Sequence, residues 1–405
     1  MYNKLTLNKL STLLPTVGII LIIVGLFLSV VLLQIAVFAM LLTFPFILQL
    51  KIKNNELHNF EILMILFFIS GVIGLIMSIA PQKSVLNLTK YFFMLNTLPF
   101  CYFLQRDKKL SLKNISYLIN LFATINAICG FVHYFQISDR TTGFYGGYFT
   151  LAVLMVFSLP ISISLFIYTT SKLRYYFLIS FIIQFIALWF TYTRSAFLGI
   201  IIAGVSGGFI VLAYYWPKLN KVKLLTVFYL FLLPITLIIL LFTSKTPRLN
   251  PTTIISTETS QNIDFSSGRK QIIEEATQML REDIKTGDWL HLVFGNGLYS
   301  RIMFFPDGIW GGWESDYLEA LMSHGIFGLL ILLAVYYYLL KLPIEIVKKN
   351  NSWEAYILQL GFIMSTIGLF CMSFLTHITL GFSSVVIISF LYAVMNRQIK
   401  NIDTK

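Results

Sequence analysis

Charge is scarce in this chain: Asp, Glu, Lys and Arg make up only 12% of its 405 residues, against 57% hydrophobic ones. With a mean hydropathy of +0.79, that scarcity excludes a soluble globular protein. Cysteine is scarcer still. Cys101, Cys129 and Cys371 all fall within apolar runs, show no metal-ligand spacing and define no disulfide framework. Five histidines without clustered ligands argue against a transition-metal site, and no cofactor is expected. Acidic residues number 18 against 30 basic ones, for a net charge of +12. In a soluble chain that balance would suggest nucleic acid. Here the lysines and arginines gather between apolar runs, where they set membrane topology, so no nucleic-acid partner is expected.

Apolar runs of about 18 residues or more recur from end to end, each long enough to cross the hydrocarbon core as a helix. Because the backbone must satisfy its own hydrogen bonds there, the expected fold is an all-α, polytopic helical bundle. About twelve spans are read, near residues 13–30, 33–50, 60–80, 87–104, 114–136, 147–169, 175–193, 195–215, 224–243, 315–340, 354–374 and 377–395. The first run is too long for a cleaved signal peptide and another follows at once, so it is read as a retained span. The chain then divides into residues 1–136 (spans one to five), 137–243 (spans six to nine), a long polar loop at 244–314, and 315–405 (the last three spans and a tail). With both termini cytoplasmic, nineteen of the 30 basic residues fall on the inner side. The short outer loops hold Lys83, Lys90, Arg140 and Arg194, and the long loop also lies outside. No repeated halves are visible, unlike a transporter built from two six-helix halves.

Residues able to carry chemistry gather on that outer side. Arg194, in Thr193-Arg194-Ser195-Ala196, is a single charge with apolar sequence on both sides. It either snorkels from a helix end or binds an anion, for which a guanidinium fork is well shaped. Arg140 precedes the glycine-rich bend Thr141 to Gly147; it either pairs with Asp139 at the surface or contributes to the same anion site. In the long loop, Gly268 to Lys285 reads as an amphipathic helix, with Ile272, Ile273, Ala276, Met279, Leu280 and Ile284 at helical spacing and Glu274, Glu275, Glu282 and Asp283 mainly on the other face. Ser266 or Ser267 caps its start, and the helix lies on the membrane surface or lids the bundle. Arg269 in its first turn either faces a phosphate or is simply solvated. Gly295-Asn296-Gly297 alone signals a turn. Finally, Trp310-Gly311-Gly312-Trp313-Glu314-Ser315-Asp316-Tyr317 opens the tenth span. Carboxylates there suit the helix dipole, while the paired tryptophans suit stacking on sugar rings. Glu314, ahead of Asp316, is the candidate to accept a proton from a sugar hydroxyl. His324, two turns deeper, is either packed or part of the site.

Together these stretches resemble the O-antigen ligase and Wzy-type polysaccharide polymerase superfamily. The resemblance rests on Arg140-Thr141-Thr142-Gly143-Phe144, Thr193-Arg194-Ser195-Ala196, Ser267-Gly268-Arg269 with Gly295-Asn296-Gly297, and Glu314-Ser315-Asp316-Tyr317-Leu318 followed by Gly325-Ile326-Phe327-Gly328. It covers about residues 140 to 330 in order, while the first five spans match only in hydropathy. It implies a GT-C-like membrane glycosyltransferase acting on undecaprenyl-diphosphate-linked oligosaccharide, without metal or nucleotide. Arg140, Arg194 and Arg269 would hold the diphosphate, with Arg194 also catalytic beside Glu314 and Asp316. Trp310, Trp313, Tyr317 and His324 would bind sugar or support the site. A flippase and a chain-length regulator of the same pathway are the implied protein partners.

Ligases of this superfamily commonly carry a His-Asn pair where this chain has Glu314-Ser315, which favours a polymerase. A ligase that moves finished glycan to another acceptor is the second enzyme reading. The rival from another class, a flippase, would bury charges mid-helix along a path, whereas here they concentrate at the outer face.

Overall fold

The computed structural model describes residues 2–78, 81–107, 110–137, 140–215, 235–239, 269–298, 300–305, 312–349, 353–376 and 382–403. Among these residues there is no strand. Before the long loop run α1 (Tyr2–Leu28), α2 (Val30–Leu41), α3 (Phe44–Lys53), α4 (Asn59–Met77), α5 (Pro81–Phe92), a 3₁₀ turn (Phe93–Asn96), α6 (Thr97–Arg106), α7 (Leu112–Ile137), α8 (Tyr148–Tyr168), α9 (Leu173–Phe190) and α10 (Arg194–Tyr215). After it come α11 (Arg269–Thr286), α12 (Trp289–Phe294), α13 (Ser300–Phe304), α14 (Asp316–Lys349), α15 (Trp353–Leu375) and α16 (Phe382–Asp403).

Among the described residues, seven helices are long and apolar enough to cross a membrane: α4, α7, α8, α9, α10, α14 and α15. The pair α2–α3, bent by 41°, makes an eighth if it counts as one span. The expected ninth span, about 224–243, lies mostly outside the described residues. Helices stand at the other expected places, but some are interrupted. The 3₁₀ turn at Phe93–Asn96 divides the fourth expected span into α5 and α6.

α8 is the axis of the bundle. Every residue from Leu151 to Leu165 is buried, and α7, α9, α10 and α15 pack around it. Lipid supplies no hydrophobic drive between helices, so close approach of small residues and interhelical hydrogen bonds hold them together. Gly361 of α15 meets α8 so closely that a Cβ there would lie 2.8 Å from Ser164 Oγ, and one at Gly199 of α10 would lie 2.6 Å from the Gly368 carbonyl oxygen. Polar side chains join α7, α8 and α9. Asn120 Nδ2 donates to Ser162 Oγ at 2.7 Å, Gln184 Nε2 to Thr124 Oγ1 at 3.0 Å, and Ser158 Oγ to Gln184 Oε1 at 2.9 Å. Lys51, at the end of α3, is not a loop charge as its place in the sequence suggests. It is buried in an ion pair with Glu61, which removes two charges from lipid together.

One departure from regular helix positions the candidate site. α14 was expected to run unbroken past His324, but it breaks at Gly325, where φ is 70° and ψ −169°. That region of the backbone map is open essentially to glycine alone. The end of α12 and the Gly295-Asn296-Gly297 turn fill the break. Asn296 N donates to the Met322 carbonyl at 2.8 Å, satisfying an acceptor that the broken helix leaves over. A Cβ on Gly325 would overlap the Val293 carbonyl, and one on Gly295 would overlap the backbone of Ser323 and His324. Gly297 reaches further, against Gly74 and Ser78, and Ser84 Oγ donates to the Leu298 carbonyl at 2.6 Å.

Gly325→Ala is therefore expected to destabilise the fold by about 3 kcal/mol or more, since left-handed strain and backbone overlap add. Gly146→Ala, at φ +70° with open space around it, should cost only about 1 kcal/mol. Thermal unfolding of both variants in detergent checks this, and equal losses would contradict it.

Candidate functional site

The long-loop helix α11 spans Arg269–Thr286, matching the expected amphipathic segment; its proposed serine caps lie outside the described residues. Its apolar residues divide: Ile273 and Ile284 are exposed, and the rest turn inward. Ile272, Ala276 and Met279 bury against Trp313 and Met322, so α11 lies over the start of α14. Glu275 is on that same inward face, not the polar one. The spacing 272–275–276–279 is one helical stripe, so the carboxylate goes in with its neighbours. There it meets Arg301 of α13, which the sequence reading did not single out. Arg301 Nε and Nη2 reach Glu275 Oε2 at 2.9 and 2.8 Å, and Arg301 is only 1% exposed.

Glu314 lies beside this pair. Its φ of +57° is left-handed, a conformation that costs a non-glycine residue on the order of 1–3 kcal/mol unless neighbours impose it. Glu319, one turn along α14, imposes it: its Oε2 accepts from Trp313 N at 3.1 Å while its Oε1 accepts from Ser323 Oγ at 2.7 Å. The Trp313–Glu314 turn is thus pinned to the helix it precedes. Burial pushes the Glu314 carboxyl above the usual carboxylate range, Arg269 and then Arg301 pull it back, and Glu319 adds to the rise. Arg269, Arg301, Glu314 and Glu319 therefore share one electrostatic neighbourhood. Two donors in it, Arg269 Nε and Trp313 Nε1, are buried with no acceptor among the described residues. Such a cluster can bind an anion at its cations and take up a proton at Glu314.

Arg140 and Arg194 form a second group at the same end of the bundle. Thr141 N donates to the Phe190 carbonyl at 3.0 Å, which ties the Arg140 loop to the turn that Arg194 closes as the first residue of α10. Arg140 is half-buried with its guanidinium 4.1 Å from the Tyr148 ring centre, and Arg194 is exposed. The ends of α15 and α14 connect the two groups. Thr376 Oγ1 donates to Ser195 Oγ at 3.3 Å, and the Tyr317 ring stacks on Phe374 at 4.2 Å. Tyr317 also accepts from Ser373 Oγ at 3.3 Å.

The other expected site residues divide. Asp316 is buried and hydrogen-bonded with Tyr336, leaving Glu314 the more accessible carboxylate. Trp313 was expected to offer a flat face to sugar, but it is 1% exposed because the stripe on α11 needs an apolar partner. Trp310 lies outside the described residues. His324 is fully buried, with Nδ1 3.1 Å from Ser70 Oγ and Nε2 3.0 Å from Tyr91 Oη, and its ring stacks on Phe67. It is a packing residue that locks α14 to α4 and α5.

Neither a protein-family model nor a curated protein sequence matches this chain.

The position of Arg269 can be tested by titration. A cation favours the ionised carboxylate, so Arg269→Ala should raise the Glu314 proton affinity above its already elevated value. Difference infrared spectroscopy of each protein against its Glu314→Gln counterpart isolates that carboxyl band. Unchanged titration on removal of Arg269 would separate the two residues.

Proposed function

We propose that this protein is a membrane glycosyltransferase of about twelve spans with a GT-C-like plan and both termini in the cytoplasm, its site facing outward. It is read as a polysaccharide polymerase that joins undecaprenyl-diphosphate-linked repeat units of a capsule, O-antigen or exopolysaccharide. The observation that carries this reading is the neighbourhood of Glu314: a proton-accepting carboxylate held in a strained turn, beside Arg269 and at the same end of the bundle as Arg140 and Arg194.

The chemistry follows from that arrangement. The growing glycan is bonded through its anomeric carbon to a lipid diphosphate, and a hydroxyl of the next lipid-linked unit attacks that carbon. Glu314 takes the hydroxyl proton as the new glycosidic bond forms. The bond from anomeric carbon to diphosphate oxygen breaks, and undecaprenyl diphosphate leaves with the electron pair. Arg140, Arg194 and Arg269 neutralise the charge that gathers on it. A diphosphate is already a good leaving group, so the step draws on no nucleotide sugar. Burial raises the proton affinity of Glu314, which makes its carboxylate a stronger base than an exposed one.

In cells carrying Glu314→Gln in place of the wild type, with protein level and membrane insertion matched, chain growth should slow by about 10²- to 10⁴-fold. The electrophoretic ladder of surface glycan then collapses to single repeat units. A normal ladder would remove Glu314 from the reaction. Finished polymer retained on its lipid would indicate a ligase, and repeat units trapped inside the cell would indicate a flippase.

A further inference from the structure

α12 carries an exposed apolar face. Trp289 is 63% exposed, Leu290 60% and Val293 37%, all within one six-residue helix. Its polar residues are occupied otherwise: Asp288 caps the helix through His291 N, and its Oδ2 meets His291 Nδ1 at 2.6 Å.

Depth and continuity identify what covers this face. α12 abuts the break in α14 at Gly325, nine residues inside a spanning helix, or about 13 Å from its start at 1.5 Å per residue. On the other side it meets the last turn of α4, another spanning helix. A Cβ on Gly74 would lie 2.8 Å from the Ser323 carbonyl oxygen, 3.7 Å from Gly297 Cα and 3.8 Å from the Phe294 carbonyl oxygen. α12 is therefore level with the outer ends of the spanning helices and not above them. The helices it abuts also expose apolar residues, Ile76 on α4 and Ile326 and Leu330 on α14, and Phe294 contacts the Phe327 ring edge-on. Tryptophan with aliphatic neighbours at that level suits the boundary between headgroups and acyl chains.

We infer that α12 is a bilayer anchor: Trp289, Leu290 and Val293 insert into the outer leaflet and fix the long loop to the membrane surface. Of the two places expected for α11, on the membrane surface or as a lid on the bundle, the packing of Ile272, Ala276 and Met279 on Trp313 and Met322 matches the lid, and α12 presents a separate apolar face. For the proposed reaction, and resting on that reading, the anchor would hold the Arg269–Glu314 cluster at the depth where a lipid diphosphate lies.

The test is independent of any activity. Full-length protein is reconstituted in nanodiscs made with phosphatidylcholine and phosphatidylglycerol brominated on the acyl chains, and tryptophan emission is compared with that of Trp289→Phe. The difference between the two proteins is the Trp289 signal. It should be quenched by bromolipid and protected from aqueous iodide. Quenching by iodide with none by bromolipid would make α12 a solvated loop. Protection from both would place another protein surface, a second copy or a partner, over this face. Either result overturns the anchor and leaves the glycosyltransferase reading standing.

Discussion

A membrane-embedded backbone has no water to satisfy it, so any interruption of a spanning helix must be filled by protein. The break in α14 at Gly325 is filled by the turn that follows α12. Three glycines, Gly295, Gly297 and Gly325, adopt φ between +70° and +83°, which lets two backbones meet where any Cβ would overlap. The Asn296-to-Met322 hydrogen bond seals the junction. Much of this end of the bundle follows from it. With the loop fixed at Gly297 to α4 and at Leu298 to α5, α13 and its Arg301 have a defined place, and α11 is laid over the start of α14.

The buried pair of Glu275 and Arg301 then completes the arrangement. Removing one partner of such a pair typically costs about 3–5 kcal/mol, because the other is left charged and buried. The pair thus fastens α11 to α13 and sets a fixed cation beside Glu314. That carboxyl is pulled in opposite directions, upward by burial and by Glu319, downward by Arg269 and Arg301. Opposed influences of this kind are common where a group must change protonation during a reaction. A structural ion network can produce them as well, which is why the strained turn at Glu314 carries weight beside them.

The helical bundle was legible in the apolar runs. The amphipathic helix α11 was legible in its spacing. Its surroundings were not. Assigning Glu275 to the polar face followed its charge, whereas its register with Ile272, Ala276 and Met279 sends it inward. Trp313 looked like a sugar platform because two tryptophans stand together beside the carboxylates, yet the stripe on α11 claims it. The break at Gly325 had no local sign, since a glycine inside an apolar run is compatible with unbroken helix. What bends α14 is a turn 30 residues upstream, and contacts at that separation leave no trace in periodicity. Arg301 had the same difficulty: a five-residue helix offers no repeat from which to read a buried face.

At the centre of the proposed function, a carboxylate and arginines at one end of this bundle break a bond between glycan and lipid diphosphate. The most direct measurement follows that bond. Purified protein in nanodiscs is given undecaprenyl-diphosphate-linked repeat units, with no nucleotide sugar, and free undecaprenyl diphosphate is counted against glycan length. One lipid diphosphate should be released for every repeat unit added, and none by the Glu314→Gln protein. Intact lipid-linked units recovered unchanged, or merely moved from one leaflet to the other when the same protein is placed in sealed vesicles, would contradict the proposed function.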